Sequence, residues 1–183
     1  HKVAHYPIHG GAMVFMLRRN DCAIPPHLSI QNTLEHEQVS LTRWTEFSKQ
    51  ASHKIQGLKS FVQERMENGY NLCGFGASAK STVWVNACGF TRRHLAFIAD
   101  STRQKWGGFS PGSEIPIVDE GALLRDQPDM AIMFCWNFEA EVLRTQARYL
   151  ENGGRFVVPT DGIRVMGAEQ LRNSEVVIHT NPS

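Results

Sequence analysis

The sequence predicts an α/β protein: a Rossmann-like, doubly wound and mainly parallel sheet, preceded by a short N-terminal β segment and a long helix. Three observations carry that expectation. The second half alternates short, wholly apolar runs with helical patterns, as strands buried on both faces between crossover helices do. A glycine-rich turn, Gly74-Phe75-Gly76-Ala77-Ser78-Ala79, stands between the first of those strands and the first of those helices. An apolar stripe at three- and four-residue steps runs from Leu41 to Met66.

Taken in order, "HKVAHYPIHGGAMVFMLRR" reads as two extended runs around His9-Gly10-Gly11, where the glycine pair supplies the freedom of a tight turn. Pro25 and Pro26 break the pattern, and a polar stretch follows. The stripe Leu41, Trp44, Phe47, Ala51, Ile55, Leu58, Val62, Met66 then makes one long helix. Ser40 is its expected N-cap, and Asn68-Gly69 its stop. At ~1.5 Å per residue such a helix is roughly 39 Å long.

Beyond Gly69, "YNLCGFG" is a strand and "AKSTVWVNACG" a helix closed by Gly89. "HLAFIAD" is a strand ending at Asp100, and the loop "STRQKWGGFSPGSEIP" leads to an "IPIV" strand and a brief helix near "EGALLRD". "DMAIMFCW" is a strongly apolar strand, "NFEAEVLRTQARYLENGG" one amphipathic helix with Asn137 at its N-cap, "RFVVP" a strand, and "EVVIHT" a last one. The expected division is residues 1–39 as a hairpin and linker, and 40–183 as the Rossmann-like domain, including the helix over 41–67.

At 183 residues the chain can bury one sizeable core. A net charge of +1 gives no overall field to recruit nucleic acid or an anionic membrane. No apolar run approaches the ~18 residues of a membrane span. The chain opens on His1 with no signal-peptide pattern, and reads as a piece of a longer protein. Cys22, Cys73, Cys88 and Cys135 are far apart, with no C-x-x-C pair to suggest zinc or redox chemistry, so free thiols in the cytoplasm are expected.

The glycine turn admits three readings. As G-x-G-x-x-A between strand and helix it fits a dinucleotide fingerprint, with Asp100, 24 positions after Gly76, near the spacing of the acid that binds a ribose hydroxyl. As a triphosphate loop it has Ala79 where a glycine should precede Lys80-Ser81. As a methyl-donor loop it lacks the opening acid, since Asn71 or Cys73 stands there. Glycine turns of this kind also serve close helix–strand packing alone.

Other candidates lie at the ends of later strands, where such folds bind ligands. Arg103, Lys105, Trp106, Gly107, Gly108, Pro111 and Gly112 offer two cations, an aromatic ring and a flexible backbone, which suits a phosphate- or sugar-bearing ligand or a plain surface loop. Trp136-Asn137 closes the most apolar strand. His9 is a candidate base or substrate contact, or a turn histidine. The eight histidines are scattered and form no metal triad, and His36 between Glu35 and Glu37 fits a solvated helix surface.

Read together, "PIHGGAMVFML", "GFGASAKSTVWVNACG", "FIADSTRQKWGGFSPGSEIPIV" and "MFCWNFEAEVLRTQARYLENGGRFVVP" follow the order and spacing of one module. The chain resembles the C-terminal domain of SAM-dependent sugar C-methyltransferases, which methylate carbon on deoxyketosugars carried on dTDP. The resemblance implies a zinc-binding segment and a SAM-binding domain upstream of His1, where the catalytic base is also expected. It implies that Gly74, Gly76, Ala77, Ser78 and Lys80 face the diphosphate or sugar, that Lys105, Gly107, Pro111, Gly112, Trp136 and Asn137 line the same edge, and that His9, Gly10 and Gly11 lie near the seam with the SAM domain. The reaction it implies is deprotonation beside a ketone and attack of the enolate carbon on the SAM methyl, with this chain alone neither binding SAM tightly nor transferring methyl groups. Ala12, Ser81 and Cys135 depart from the family's pattern, and residues 20–38 find no counterpart in it. Two readings stand beside it: a dinucleotide-binding domain of an oxidoreductase, and an interaction module without a ligand.

Overall fold

The computed structural model describes residues 1–7, 11–21, 23–37, 40–160 and 162–169. The chain divides into two units, His1–Lys49 and Gln50–Ser183. The first holds the antiparallel hairpin β1 (Lys2–Tyr6) and β2 (Ala12–Met16) and helix α1 (Ser29–His36). Val3 N donates to Ser29 Oγ at 3.0 Å and ties hairpin to helix. The sequence gives no bounds for helix α1, although the solvated helix surface expected around His36 is its last, exposed turn.

Helix α2 spans Leu41–Glu67. Arg43 N donates to Ser40 Oγ at 3.2 Å, the expected N-cap contact. Gly69 terminates it at φ +81, with its N–H on Met66 O. The helical stripe is only half used within the chain: Leu58 and Val62 are fully buried, while Leu41, Trp44 and Phe47 are 83%, 60% and 63% exposed.

The second unit is built on a six-stranded sheet in the order β5-β4-β3-β6-β7-β8. Its strands are β3 (Leu72–Phe75), β4 (Ile98–Ala99), β5 (Ile117–Val118), β6 (Met130–Met133), β7 (Arg155–Val158) and β8 (Arg164–Met166). All pair in parallel except β8, which runs antiparallel to β7. The fold is therefore α/β with a mainly parallel sheet, as the sequence predicts. The "EVVIHT" strand expected at the end lies outside the described residues.

Apolar residues alternate along the strands between two core layers. Leu72, Ile98, Met130, Ile132 and Val157 meet Leu58 and Val62 of α2 and Val85 of α3 (Ala79–Cys88). Cys73, Phe75, Ala99, Ala131, Met133 and Phe156 meet α4 (Ala122–Asp126), α5 (Glu139–Thr145) and α6 (Ala147–Glu151). Two helices stand where the sequence suggests one, because the chain breaks at Gln146, whose side chain is buried.

The strand order reverses between β3 and β6: β4 and β5 extend one way from β3, while β6 to β8 extend the other. Such a reversal opens a crevice outside the carboxyl ends of the two strands. That is where the glycine turn and Trp136-Asn137 both emerge.

Candidate functional site

Strand β3 ends in the glycine turn, and both glycines have packing reasons to be there. A Cβ on Gly74 would lie 3.0 Å from Ile98 and Phe134 side-chain carbons. Gly76 has φ +90, and a Cβ there would lie 2.9 Å from Cys135 Sγ. Ser78 then caps α3, its Oγ accepting from Ser81 N at 3.3 Å. The N-terminus of α3, with its first amides lacking intrahelical acceptors, thus opens at the switch point.

Across the crevice, Trp136, Asn137 and Phe138 form a 3-10 turn after β6. Helix α5 starts at Glu139 with Phe138 in the cap position and no side-chain cap. The expected N-cap role of Asn137 is therefore corrected: Asn137 Oδ1 accepts a hydrogen bond from Lys80 Nζ. The same ammonium lies 4.9 Å from the centroid of the Trp136 ring, a cation–π contact. Lys80, 56 positions before Trp136 in sequence, forms one cluster with Trp136 and Asn137.

Lys105 is placed differently. Its Nζ donates to Ala77 O at 2.7 Å and to the Asp100 carboxylate oxygens at 3.1 and 3.2 Å. An ammonium has three donors, and these three contacts account for them. Asp100, 6% exposed, also accepts from Ala77 N at 2.6 Å and Thr102 N at 2.8 Å. Burial by itself raises the Asp100 pKa, but the hydrogen bonds from Thr102 and Lys105 and the ammonium charge outweigh it, leaving the carboxyl below the usual range. Trp106 Nε1 donates to Asp100 O at 2.7 Å, closing the loop over its strand.

The remaining residues of that loop separate. Gly107, at φ +79, donates its N–H to Ile117 O and stays beside β5. Pro111 O accepts from Asn86 Nδ2 at 2.9 Å, and a Cβ on Gly112 would collide with Asn86 Oδ1. Asn86 lies in the last turns of α3, about 9 Å along the axis from Lys80 at ~1.5 Å per residue. Pro111 and Gly112 therefore do not join Lys80 and Trp136. Gly11 precedes β2 at φ +120, and His9 and Gly10 lie outside the described residues.

The sequence reading missed Glu120. It follows β5 at the same edge and accepts from the buried Gln146 Nε2 at 2.9 Å. Burial raises its pKa, the Gln146 bond opposes that, and the charges of Asp100 and Glu141 add to the rise, so its carboxyl sits above the usual value. The acidic Asp119-Glu120 pair just after "IPIV" was the available signal. Cys135, by contrast, is an inert thiol, pushed up to about 11 chiefly by burial. Among the described residues no three His, Cys, Asp or Glu side chains gather as a metal site, and no helix is long and apolar enough to cross a membrane.

A family model described as the C-methyltransferase C-terminal domain matches residues 7–160, the stretch that includes the glycine turn, the Lys105 loop and the Trp136 turn. The chain belongs to the C-methyltransferase C-terminal domain family. The resemblance seen in the motifs is thus the right one. The C-methyltransferase NovU of Streptomyces niveus is similar to it, 29% identical over 166 residues, which is 88% of this chain and 40% of that protein. The chain spans about two fifths of the length of that relative. In this C-methyltransferase C-terminal domain, Lys80, Trp136 and Asn137 meet at the strand reversal.

Proposed function

We propose that this chain is the nucleotide-sugar-binding domain of a SAM-dependent C-methyltransferase that acts on an NDP-ketodeoxysugar, with dTDP as the nucleotide. The observation that carries it is the Lys80 ammonium held over Trp136 by Asn137 at the N-terminus of α3. A diphosphate there meets a cation and the first amides of a helix. Trp136, with the ammonium over its ring, walls this anion site. Gly74 and Gly76 shape the turn, Ala77 and Ser78 carry it into α3, and Lys105 serves it from beneath by fixing Ala77.

Neither the glycine turn nor Asp100 fits S-adenosylmethionine. No acid opens the glycine turn, and Asp100 has its acceptor positions filled by the protein's own donors. Nor do the described residues fit a zinc site. In this reading both groups, and the base that deprotonates the carbon beside the ketone, belong to an upstream domain. The apolar residues bare on β2 and on the first half of α2 support a seam with such a domain. The filled Asp100 also counts against the alternative of an NAD-dependent oxidoreductase.

Two measurements test the reading. In thermal shift with this chain, dTDP should stabilise while NAD and SAM do not; stabilisation by NAD alone would favour the oxidoreductase, and by none of the three a module without a ligand. In the full-length enzyme, Lys80→Ala should raise the sugar-substrate KM about tenfold or more, the loss of one charge-assisted contact, and leave SAM affinity unchanged. A fall in SAM affinity instead would mean that the turn serves the other ligand.

A further inference from the structure

We propose that Asp100 and Lys105 form a latch that selects against dinucleotides at this crevice, because it withdraws the one acid that a ribose diol would need. The proposal rests on the nucleotide-sugar reading only for the ligand that is admitted, not for the one refused.

A dinucleotide site in this fold uses the acid at the end of the second strand to accept hydrogen bonds from ribose hydroxyls. Asp100 stands at that place, after β4, the neighbour of β3. A carboxylate offers about four acceptor positions, and here four hydrogen bonds from three donor groups reach it. Oδ2 takes Ala77 N and one approach of Lys105 Nζ; Oδ1 takes Thr102 N and the other. A ribose hydroxyl would have to displace one of them, and each is an intramolecular contact to a charged group, costly to leave unmade.

The latch also joins two loops. Lys105 Nζ reaches the carbonyl of Ala77 while Asp100 holds the N–H of the same residue, so both polar groups of Ala77 are tied to the second loop. The Asp100 side chain is 8% exposed. Without Lys105 a nearly buried carboxylate would lose its counter-charge, which favours opening toward water or toward another donor. The pair thus holds the turn in one conformation and keeps its acid from any ligand. Asp100 and Lys105 are positioning residues; Lys80 and the α3 terminus are left to face what binds.

The test compares the wild-type chain with Lys105→Met, Lys105→Arg and Lys105→Gln, the last standing in should the Met variant fail to fold. Ligand-observed NMR and calorimetry follow NAD and dTDP, while amide hydrogen exchange at Ala77 and Thr102 reports whether the latch is open. Lys105→Met should lose protection at both amides and bind NAD at least about tenfold more tightly than wild type, the effect of one freed charged acceptor. Lys105→Arg, which keeps the charge, should retain wild-type protection and selectivity. The latch is overturned if wild type binds NAD as well as the variant does. It is equally overturned if the opened variant gains no NAD binding, or if Ala77 stays protected without Lys105. Absence of dTDP binding in every protein would sink the nucleotide-sugar reading and leave the NAD comparison intact.

Discussion

The hairpin unit and the sheet unit use the same kind of residue to opposite effect. In the sheet unit every residue of β6, Met130 to Met133, is buried between two helical layers. In the hairpin unit the equally apolar β2 leaves Met13, Val14, Phe15 and Met16 at 40% exposure or more. Among its described apolar side chains only Val3 is buried. A two-stranded hairpin is marginal by itself, and a strand apolar on both faces is suited to an interior. An apolar run therefore says that a strand is made for burial, but not what buries it. Helix α2 carries the same contrast along its length, from bare Trp44 and Phe47 to fully buried Leu58 and Val62.

The sharpest way to break this comparison uses one glycine from each unit. Both have positive φ, +120 at Gly11 and +90 at Gly76. A Cβ at Gly11 meets nothing within 4 Å, whereas one at Gly76 meets Cys135. Gly76→Ala should cost about 4 kcal/mol, backbone strain plus overpacking, and Gly11→Ala only about 1 kcal/mol, the strain alone. Denaturant unfolding monitored by circular dichroism measures both. Equal costs would mean that the Cys135 contact is easily relieved.

Next in size is a pair of truncations on α2. Leu58→Ala removes a fully buried side chain and should cost about 3 kcal/mol. Phe47→Ala, at 63% exposure, should stay within about 0.5 kcal/mol in this chain. A large loss at Phe47 would show that the first half of the helix is covered in solution, for instance by self-association, which sedimentation would reveal.

Much of the fold from Ser40 onward was legible because its signals are local. Strand and helix alternation, the α2 stripe, the Ser40 cap and the glycine turn each follow from residues adjacent in sequence or one helical turn apart. What was not legible depends on which neighbour claims a group. Spacing put Asp100 at the strand end of a ribose acid; it could not show that Lys105, five residues on, and Ala77 would fill the carboxylate. It also grouped Pro111 and Gly112 with Lys105, although Asn86 holds them at the far end of α3. The bounds of helix α1 were not legible because the eight-residue "SIQNTLEH" offers only two large apolar residues, Ile30 and Leu34, too few to set a periodicity. The helix splits at Gln146, whose side chain bonds Glu120 across 26 positions, a pairing no local pattern announces.

Acid should sharpen the contrast within the sheet unit itself. The Asp100 pKa is lowered on folding, so its stabilisation is fully present above the ordinary carboxylate value of about 4. As pH falls below that, the unfolded chain takes up a proton first, and the stabilisation declines until the folded carboxyl is protonated as well. The contribution at neutral pH is on the order of 1 kcal/mol, discounted because Lys105 is partly exposed. Amide exchange at Ala77 and Thr102 should quicken over this window while the β6 core stays protected. Asp100→Asn should be less stable at neutral pH and should lack this acid-dependent step. A step of the same size in Asp100→Asn would place its origin in another carboxyl.

Glu120 gives the smallest effect, with the opposite sign. Its carboxyl pKa is raised on folding, first by burial and then by the charges of Asp100 and Glu141, with the Gln146 bond opposing. The folded state therefore holds a proton more readily than the unfolded state. Stability from this group is greatest below the ordinary glutamate value of about 4.3 and declines as pH rises through the folded value. At neutral pH the ionised Glu120 is a mild liability. Glu120→Gln removes the charge and keeps an oxygen to accept from Gln146, so it should raise Tm at pH 7 by about 1–2 °C. At pH 4 the gain should vanish, because wild-type Glu120 is then largely neutral. A stabilisation that persists unchanged at pH 4 would mean that the amide gains through packing or a new hydrogen bond rather than through lost charge. Loss of stability at neutral pH would mean that the ionised carboxylate is held by a donor stronger than Gln146, and the electrostatic ordering of this edge would then have to be redrawn around Glu120.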